Sequence, residues 1–351
     1  MTGFQMNIVK RVSTKATKVA NLLLWNLNSK HNAVPTIKQV AATSDGAGSG
    51  TVFEVEGDCF INPFDGYVIC DGHVIWKSMQ PNYDAHLRVS DIGVPSFSEY
   101  RSALRGDRPV LELPAALHCR HFFEWNYYHF FFDVLSKIKL FEDADCDMTQ
   151  TLVFGKYVNQ LAFAKQTLAE TQFAGRPWIC QDDTFIRCRK VTFGNVSAAR
   201  DKVAGFIASH VGNDSNEPGN ERIYLTRGKC TGRKVINEDD VIDVVKRYGF
   251  KVIDTNGMHI SEQARIFRST RYVIAPHGAG LTNILFRENL PLSVLELNPY
   301  HIKTDFQAIC QSYGHFWSSM AGTTTSRDVQ HANYTISARD LESKVTALLA
   351  T

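Results

Sequence analysis

The chain has 351 residues, of which 44% are hydrophobic and 21% charged, and its formal net charge at pH 7 is +2. This length suggests about two domains, and the apolar fraction is that of a globular protein, which excludes wholesale disorder. The near-neutral total charge gives no reason to expect a nucleic acid as the partner. The positive charge is unevenly distributed, because residues 1–44 contain six Lys and Arg side chains and no Asp or Glu.

The cysteine pattern and the hydropathy bear on the compartment. The eight cysteines show no C-x-x-C pair and no spacing typical of a zinc site, so we expect mostly free thiols in a reducing compartment. The sequence shows no cleavable signal, and no apolar run approaches the roughly 18 residues that span a bilayer. We therefore expect a cytoplasmic protein.

A helical pattern runs through the basic start of the chain. Between residues 8 and 27, apolar side chains recur at spacings of three and four, which predicts an amphipathic helix with Lys and Arg off the apolar stripe. Such a helix could make a peripheral contact, through residues 8–27, with the inner, anionic face of a membrane. The alternative is a solvated or weakly ordered extension. The stripe consists of Ile8, Val12, Ala16, Val19 and Leu23.

Two Gly-rich stretches divide the chain. Residues 44–50 are predicted to form a flexible loop, and residues 212–220, which contain no aliphatic or aromatic side chain, provide the clearest domain boundary. These breaks delimit a basic segment over 1–44, a first domain over 45–215 and a second domain over 216–351.

The first domain mixes short β-like runs with helical segments. Its most prominent feature is a long aromatic-rich helix predicted over residues 121–141. The other predicted elements are strands over 66–70, 73–76, 151–154 and 189–193 and a helix over 159–171.

The second domain alternates strands with helices of about ten residues, a pattern that predicts βαβ crossovers and a parallel sheet. We therefore expect a Rossmann-like unit, closed by a C-terminal helix over 338–349. The first of its helices has Asn237 as a candidate N-cap and ends at Gly249. The predicted strands cover 222–226, 250–254, 271–275 and 293–297, and the helices between them cover 237–248, 261–269 and 281–288.

In an open parallel sheet, ligands bind beyond the carboxyl ends of the strands, and residues 275–283 (APHGAGLTN) follow such an end. Gly278 and Gly280 let the backbone approach a ligand closely, and free N–H groups at a helix start favour an anion such as a diphosphate. Thr282 and Asn283 add side-chain donors. The alternative is a tight strand-to-helix turn that binds nothing.

Two further candidates lie at neighbouring strand ends. Arg227, Lys229 and Arg233 form a cationic loop suited to clamping phosphate oxygens, or else a solvated basic loop. Glu296 interrupts an apolar strand, where an unpaired carboxylate would be costly and where the hydroxyl pair of a ribose would satisfy it. The alternative for Glu296 is a side chain that faces solvent at the end of the strand.

The first domain contains a candidate acid–base pair. Residues 122–132 contain eight aromatics in eleven positions, most of which must belong to the core. His129 and Asp133 break that pattern at a spacing of four, which places them on one face of a helix. A His–carboxylate pair emerging from an apolar helix is a natural acid–base device. The alternative is a buried pair with a structural role.

Together these stretches resemble glycosyltransferase family 61, the type found in capsular polysaccharide biosynthesis. The resemblance extends over roughly residues 118–300, and the HGAGLTN block in its strand–turn–helix setting is its most specific part. It rests on NYYHFFFDVL (126–135), YLTR (224–227) with the basic loop behind it, YGFKVI (248–253), APHGAGLTN (275–283) and VLELNP (294–299).

The resemblance implies a GT-B-like α/β architecture, in which two Rossmann-like domains face each other across a cleft. Residues 45–215 would form the acceptor-side domain and residues 216–351 the domain that binds the nucleotide sugar. The resemblance also implies an inverting, metal-independent transferase that uses a nucleotide sugar, most often a UDP-sugar, and no other cofactor. Nominal D-x-D matches within residues 143–147 follow a helix, which agrees with metal independence.

The same resemblance suggests a role for each candidate residue. Asp133, or His129 paired with it, would remove the proton of the acceptor hydroxyl, and Glu296 would hold the ribose. Arg227, helped by the rest of its loop and by the helix start, would neutralise the departing diphosphate, while His277 contacts the donor. The predicted donor-binding set is Arg227, Lys229, Arg233, His277, Gly278, Ala279, Gly280, Leu281, Thr282, Asn283 and Glu296, with no metal ligand.

The expected acceptor is a glycan or a lipid-linked glycan, and the expected process is the synthesis of a surface polysaccharide. Two alternatives stay open. A catalytically silent module could retain the cradle for a nucleotide or a glycan, and a UDP-sugar epimerase of GT-B fold would process its substrate without an acceptor.

Overall fold

Two sheets organise the chain. Within the described residues, nine strands of the first half form a mixed sheet and five strands of the second half form a parallel one. Helices pack against both sheets, so the predicted α/β class is confirmed. The computed structural model describes residues 15–30, 32–45, 48–79, 94–195, 203–211, 219–228, 232–288, 290–299, 305–324 and 332–351.

The strands of the first sheet are β1 (Ile37–Asp45), β2 (Gly48–Ile61), β3 (Val68–Cys70), β4 (His73–Ile75), β5 (Val110–Leu113), β6 (Ala116–His118), β7 (Thr151–Gly155), β8 (Trp178–Gln181) and β9 (Phe185–Asn195). Their order is β4-β3-β2-β9-β6-β7-β8, with β1 paired to β2 and β5 paired to β9. The contacts from β9 through β6 and β7 to β8 are parallel, whereas β1 to β4 pair antiparallel. The first half therefore carries an antiparallel part that a simple Rossmann-like unit lacks.

Hairpins build that antiparallel part. Asp71 and Gly72 join β3 to β4 with φ angles of 47° and 77°, the left-handed backbone that a two-residue hairpin turn requires. Strands β1 and β2 pair as far as Asp45 and Gly48, so the flexible loop predicted over 44–50 is the end of a hairpin. Residues 46 and 47 lie outside the described part of the chain.

The helices of the first half are α1 (Lys15–Ser29), α2 (Phe97–Leu104), α3 (Tyr127–His129), α4 (Ser136–Asp143), α5 (Ala162–Glu170) and α6 (Val203–His210). The helix predicted over 121–141 begins instead at Tyr127, because Asn126 caps it: its Oδ1 accepts a hydrogen bond from the backbone N–H of Tyr128 (2.9 Å). A π-helical segment, Phe130–Leu135, joins α3 to α4. Such segments are rare and frequently mark functional sites.

The second sheet has the order β11-β10-β12-β13-β14, and each of its pairings is parallel. In chain order this is the 2-1-3-4-5 arrangement of a doubly wound fold, and the parallel sheet that the alternating pattern predicted is present. The segment predicted as a helix over 281–288 is a 3-10 helix, Ala279–Arg287. The strands are β10 (Glu221–Leu225), β11 (Lys251–Ile253), β12 (Thr270–Pro276), β13 (Ser293–Asn298) and β14 (Phe316–Ala321), and the helices are α7 (Glu238–Arg247), α8 (Ile260–Ser269), α9 (Asp305–Ser312) and α10 (Ala338–Leu349).

Asn237 precedes α7 but does not cap it with its side chain. Its Oδ1 accepts a hydrogen bond from the backbone N–H of Ile336 (3.0 Å) instead. Three acidic side chains in the first turn complement the positive end of the α7 dipole. Gly249 ends the helix with a φ of 79°, as predicted.

Buried contacts join the two halves. Phe131 packs edge-on against Phe286, with ring centroids 6.1 Å apart, inside an apolar cluster that extends through both halves. The Tyr127 hydroxyl donates to Asn283 Oδ1 (2.5 Å), and Asn283 Nδ2 donates to Gln263 Oε1 (2.9 Å). The boundary at 212–220 stays a prediction, because residues 212–218 lie outside the described part.

Two general expectations can be compared with the structure. The seven cysteines in the described residues are free thiols, in agreement with the cysteine pattern, while Cys230 lies outside those residues. None of the helices in the described ranges is both long enough and apolar enough to cross a membrane.

Candidate active site

A pocket lies where the second sheet changes winding direction. Strands β10 and β12 are neighbours, and the connections that follow them diverge, which opens a crevice at their carboxyl ends. The pocket there has a volume of about 270 Å³, and both halves of the chain line it. Its lining residues are Asn126, Tyr128, His129, Arg233, His277, Gly278, Ala279, Asp305 and Phe306.

His129 and Asp133 form the predicted pair in this wall. His129 Nδ1 lies 2.6 Å from Asp133 Oδ2, and the side chains are 29% and 5% exposed respectively. An ionised carboxylate can only accept, so the proton lies on Nδ1 and the lone pair of a neutral His129 ring lies on Nε2. His129 lines the pocket, whereas Asp133 is buried behind it.

A second histidine, which no sequence pattern indicated, accompanies this pair. His121 stacks on His129 with ring centroids 5.2 Å apart, and its Nε2 lies 3.9 Å from Asp133 Oδ2. Its Nδ1 accepts a hydrogen bond from the backbone N–H of Phe123 (3.2 Å), which leaves the Nε2 proton directed towards the carboxylate. The loop before α3 brings His121 back to the helix, and no sequence spacing indicates that return.

These three side chains are also the described residues best placed to hold a metal. The candidate ligand atoms of His121, His129 and Asp133 lie within 4.8 Å of one another. The 2.6 Å distance from His129 to Asp133, however, is that of a hydrogen bond, and a cation would have to displace the shared proton. Metal independence therefore stays a prediction that an experiment must test.

His277 and Glu296 form a second His–carboxylate pair from the other half. Glu296 is fully buried, so it does not face solvent. Its Oε1 accepts a hydrogen bond from His277 Nδ1, and its Oε2 accepts one from Trp317 Nε1 (2.9 Å). Both oxygens are already paired, so no ribose is needed to satisfy the carboxylate, and the predicted reason for a ribose contact is absent. Nε2 of His277 remains for a ligand.

Arg227 links the two loops at the switch point. Its Nη1 donates to the His277 carbonyl (2.9 Å), and its Nη2 donates to the Gly232 carbonyl (3.1 Å). Gly278 leaves room for this guanidinium, because a Cβ there would overlap Arg227 Nη1. Lys229, the middle residue of the predicted cationic loop, lies outside the described residues.

Within the HGAGLTN block, Ala279 lines the pocket beside Gly278, and the residues that follow lie deeper. Leu281, Thr282 and Asn283 are buried and do not line the pocket. Gly280 is half-buried. The Asn283 amide is used by Tyr127 and by α8, so it joins elements of the two halves.

The structure adds α9 to the pocket, although no pattern in the sequence predicted an element there. Asp305 and Phe306 open this helix and line the pocket. The Phe306 ring lies 5.6 Å from His277 and 5.7 Å from Tyr128, measured between ring centroids. Phe306 thus closes the wall between the two halves.

Arg233 has a strained backbone. Its φ of 57° lies in the left-handed region, which costs a non-glycine residue about 1 kcal/mol or more, and its side chain lines the pocket. An outlier whose side chain lines a pocket is a candidate ligand residue, so we predict a contact from Arg233. Asp145 has a comparable φ of 52° on the exposed surface, which makes it a matched control.

We expect Arg233→Gly to change stability and ligand affinity in opposite directions. The free energy of unfolding should rise by up to about 1 kcal/mol, because glycine tolerates this φ, while affinity for inorganic pyrophosphate, a diphosphate probe, should fall about tenfold or more as a charged donor is lost. Asp145→Gly should leave affinity unchanged. Urea denaturation and calorimetric titration measure the two effects, and full affinity in Arg233→Gly would exclude Arg233 from the ligand site.

Comparison with known proteins agrees with this geometry. Residues 127–291 match the family model Glycosyltransferase 61, a stretch that runs from the start of α3 through β12 and the 3-10 helix. No curated protein matches the chain significantly. The match includes His129, Asp133, Arg227 and His277. The matched stretch, just under half of the chain, is a glycosyltransferase family 61 domain, and the protein is therefore a glycosyltransferase, an enzyme that transfers a sugar from a donor to a glycan acceptor.

Proposed function

We propose that this enzyme transfers a sugar, with inversion, from a UDP-sugar to a hydroxyl of a glycan or lipid-linked glycan. The observation that carries the proposal is the pair of His–carboxylate units facing one pocket. His129 with Asp133 comes from the first half, and His277 with Glu296 comes from the second. A GT-B-like division of labour follows, with the acceptor on the first half and the donor on the second.

His129 is the proposed general base. Its Nε2 is the free ring nitrogen, and its side chain lines the pocket. Asp133 is 5% exposed and acts through His129: it holds the ring in the required tautomer and stabilises the imidazolium formed when His129 takes the proton of the acceptor hydroxyl. The deprotonated oxygen then attacks the anomeric carbon in a single displacement, which inverts its configuration.

The second half neutralises the departing diphosphate. Arg233 and His277 line the pocket, and Arg227 fixes the His277 carbonyl from behind. Charged donors held in place before the reaction stabilise developing negative charge without reorganisation. We assign Glu296 the role of orienting His277, in place of the ribose contact expected from the sequence. The guanidinium groups of Arg233 and Arg227 supply the positive charge that a metal would otherwise provide.

A panel of UDP-sugars, each incubated with and without glycan acceptors, tests this proposal. Release of UDP that depends on an acceptor, accompanied by an inverted product linkage, is the expected result, and EDTA should leave the rate unchanged. Acceptor-independent isomerisation of the sugar would indicate an epimerase. Binding without turnover would indicate a silent module, and loss of activity in EDTA with recovery in manganese would refute the metal-free mechanism.

Substitutions of the proposed general base, His129, and of its partner, Asp133, should lower kcat without weakening UDP binding. His129→Ala should lower kcat by about 10²- to 10⁴-fold, and Asp133→Asn should lower it by a similar factor through the wrong tautomer. UDP affinity should stay within about twofold in both variants, since neither residue binds the diphosphate in this mechanism.

His259→Ala is the matched control for the substitutions in the His129–Asp133 pair. His259 Nε2 also pairs with a carboxylate, Glu170 Oε2 (2.8 Å), but this pair is exposed and does not line the pocket. Activity in His259→Ala should equal that of the wild type. Full activity in His129→Ala would remove His129 from the base role.

We also propose that the enzyme works in the cytoplasm, at the inner face of a membrane where surface polysaccharides are assembled. Helix α1 supports this location because only one of its faces is docked. Trp25 is buried and its Nε1 donates to the Pro95 carbonyl (2.8 Å), while Asn28 Nδ2 donates to the Gly72 carbonyl (2.9 Å). The predicted helix residues 8–14 lie outside the described part.

The undocked face of α1 is an exposed apolar stripe. Its members recur at helical spacings, and they are exposed to solvent. No acidic residue occurs in residues 1–44, so two copies of this face would repel each other, whereas an anionic bilayer would attract it. The stripe consists of Ala16, Val19, Ala20, Leu23, Leu24 and Leu27.

Replacing Leu23, Leu24 and Leu27 by serine together should lower binding to phosphatidylcholine–phosphatidylglycerol vesicles at least tenfold in co-sedimentation. Wild-type binding should weaken with added salt and be absent from pure phosphatidylcholine. Replacing Leu104 and Leu111, which are similarly exposed elsewhere, should have no effect. Equal binding by wild type and triple variant, or a dimer in gel filtration that the triple variant abolishes, would refute the membrane contact.

A further inference from the structure

The loop between β6 and α3 exposes aromatic rings beside the proposed base. Phe122 and Phe123 are 36% and 51% exposed, whereas Phe130–Phe132, in the same aromatic-rich stretch, are fully buried. The Phe122 ring packs against Tyr67, with centroids 5.9 Å apart. The Phe123 ring is therefore the most exposed aromatic ring of this loop.

Buried charges hold this loop in place. The Arg120 guanidinium pairs with the Glu124 carboxylate (3.2 Å), and their side chains are only 6% and 4% exposed. Glu124 Oε2 also accepts hydrogen bonds from the backbone N–H groups of His121 (3.3 Å) and Gly155 (3.1 Å). Lys137 Nζ donates to the Arg120 carbonyl (2.5 Å). The loop is thus fixed at both ends by ionised groups.

This scaffold is costly for a loop of this size. Burial of an ion pair carries a large desolvation penalty, which hydrophobic packing in its place would avoid. Burial also lowers the pKa of Lys137, the third charged group of the scaffold. Gly155 leaves room for Glu124, because a Cβ there would overlap the carboxylate. Because these buried charges reduce stability while holding the loop in one conformation, we infer that the position of the exposed ring matters.

The ring lies against the proposed base. The centroid of Phe123 is 5.1 Å from that of His129, with the planes tilted by 31°, and 6.0 Å from that of His121. Phe123 does not belong to the residues that line the donor pocket. His129 is thus bordered by the donor pocket and by this exposed aromatic ring.

We propose that Phe123 is the stacking platform for a pyranose ring of the acceptor glycan. This inference rests on the proposed function, because it names the acceptor subsite of the same reaction. A pyranose presents a face of C–H groups that complements the negative face of an aromatic ring, and its rim carries hydroxyls. A sugar on Phe123 would direct a hydroxyl towards Nε2 of the adjacent His129 while its ring avoids the diphosphate site.

Saturation-transfer NMR with methyl pyranosides, recorded in the presence of UDP, tests this subsite directly. The wild type should transfer saturation to the C–H protons of one sugar face. Phe123→Ala should weaken pyranoside binding about three- to tenfold, the range expected for one aromatic contact, and Phe123→Trp should retain it. The UDP affinity of all three proteins should agree within about twofold.

Phe316→Ala is the matched control, since Phe316 is 44% exposed on β14 and does not line the pocket. It should leave pyranoside binding unchanged. Full pyranoside binding by Phe123→Ala would overturn the proposal that Phe123 is a stacking platform. So would an absence of pyranoside binding by the UDP-loaded wild type, or a Phe123-dependent signal from cyclohexanol in place of the sugar. Failure to bind UDP would instead refute the donor site of the proposed function, so the two failures are distinguishable.

Discussion

The hydrogen bond from Tyr127 to Asn283 is the contact on which the pocket depends. Tyr127 begins the helix that carries His129, and Asn283 lies in the 3-10 helix that follows His277. A tyrosine hydroxyl is protonated at neutral pH, and burial raises the pKa of Tyr127 further, so it is a hydrogen-bond donor. The contact joins the two histidine-bearing segments within a few residues of each ring, so a sliding of the halves that separated the rings would also break this bond.

Two histidines with the same arrangement are given different tasks by their neighbours. Each directs Nδ1 to a buried carboxylate and leaves Nε2 for the pocket, which fixes the tautomer and prevents rotation of the ring. His129 lies among aromatic rings, where an acceptor sugar can pack and a proton can be removed. His277 lies beside the Arg227 guanidinium, where negative charge is favoured. The two sides of the pocket therefore differ chemically because each is lined by a different half of the chain.

Local patterns in the sequence predicted the second half well and the first half poorly. The alternation of strands and helices predicted β10, β12 and β13, and the glycines after β12 predicted the site at their ends. Each of these patterns lies within about ten residues of sequence. Asn283 was expected to bind the donor because its amide lies just after the strand end. Its observed partner, Tyr127, is distant in the chain, and no spacing reveals that pairing. The β3–β4 hairpin had a usable signal in the Asp71-Gly72 dipeptide. The return of His121 to His129 had none.

Several departures from ordinary folding rules lie at or beside the pocket, whereas the left-handed backbone of Asp71 and Asp145 lies elsewhere. The π-helical segment, the left-handed backbone at Arg233, the buried Arg120–Glu124 pair and the buried Glu296 each reduce stability, and each shapes a side chain at or beside the pocket. By contrast, α8 and the sheet beneath it follow the amphipathic and alternating patterns of a doubly wound fold. A protein tolerates such costs where geometry matters more than stability. The exposed ring of Phe123 agrees with this view. The buried Arg120–Glu124 pair fixes the loop, and the Phe123 ring on that loop stays open to solvent, where an acceptor can reach it.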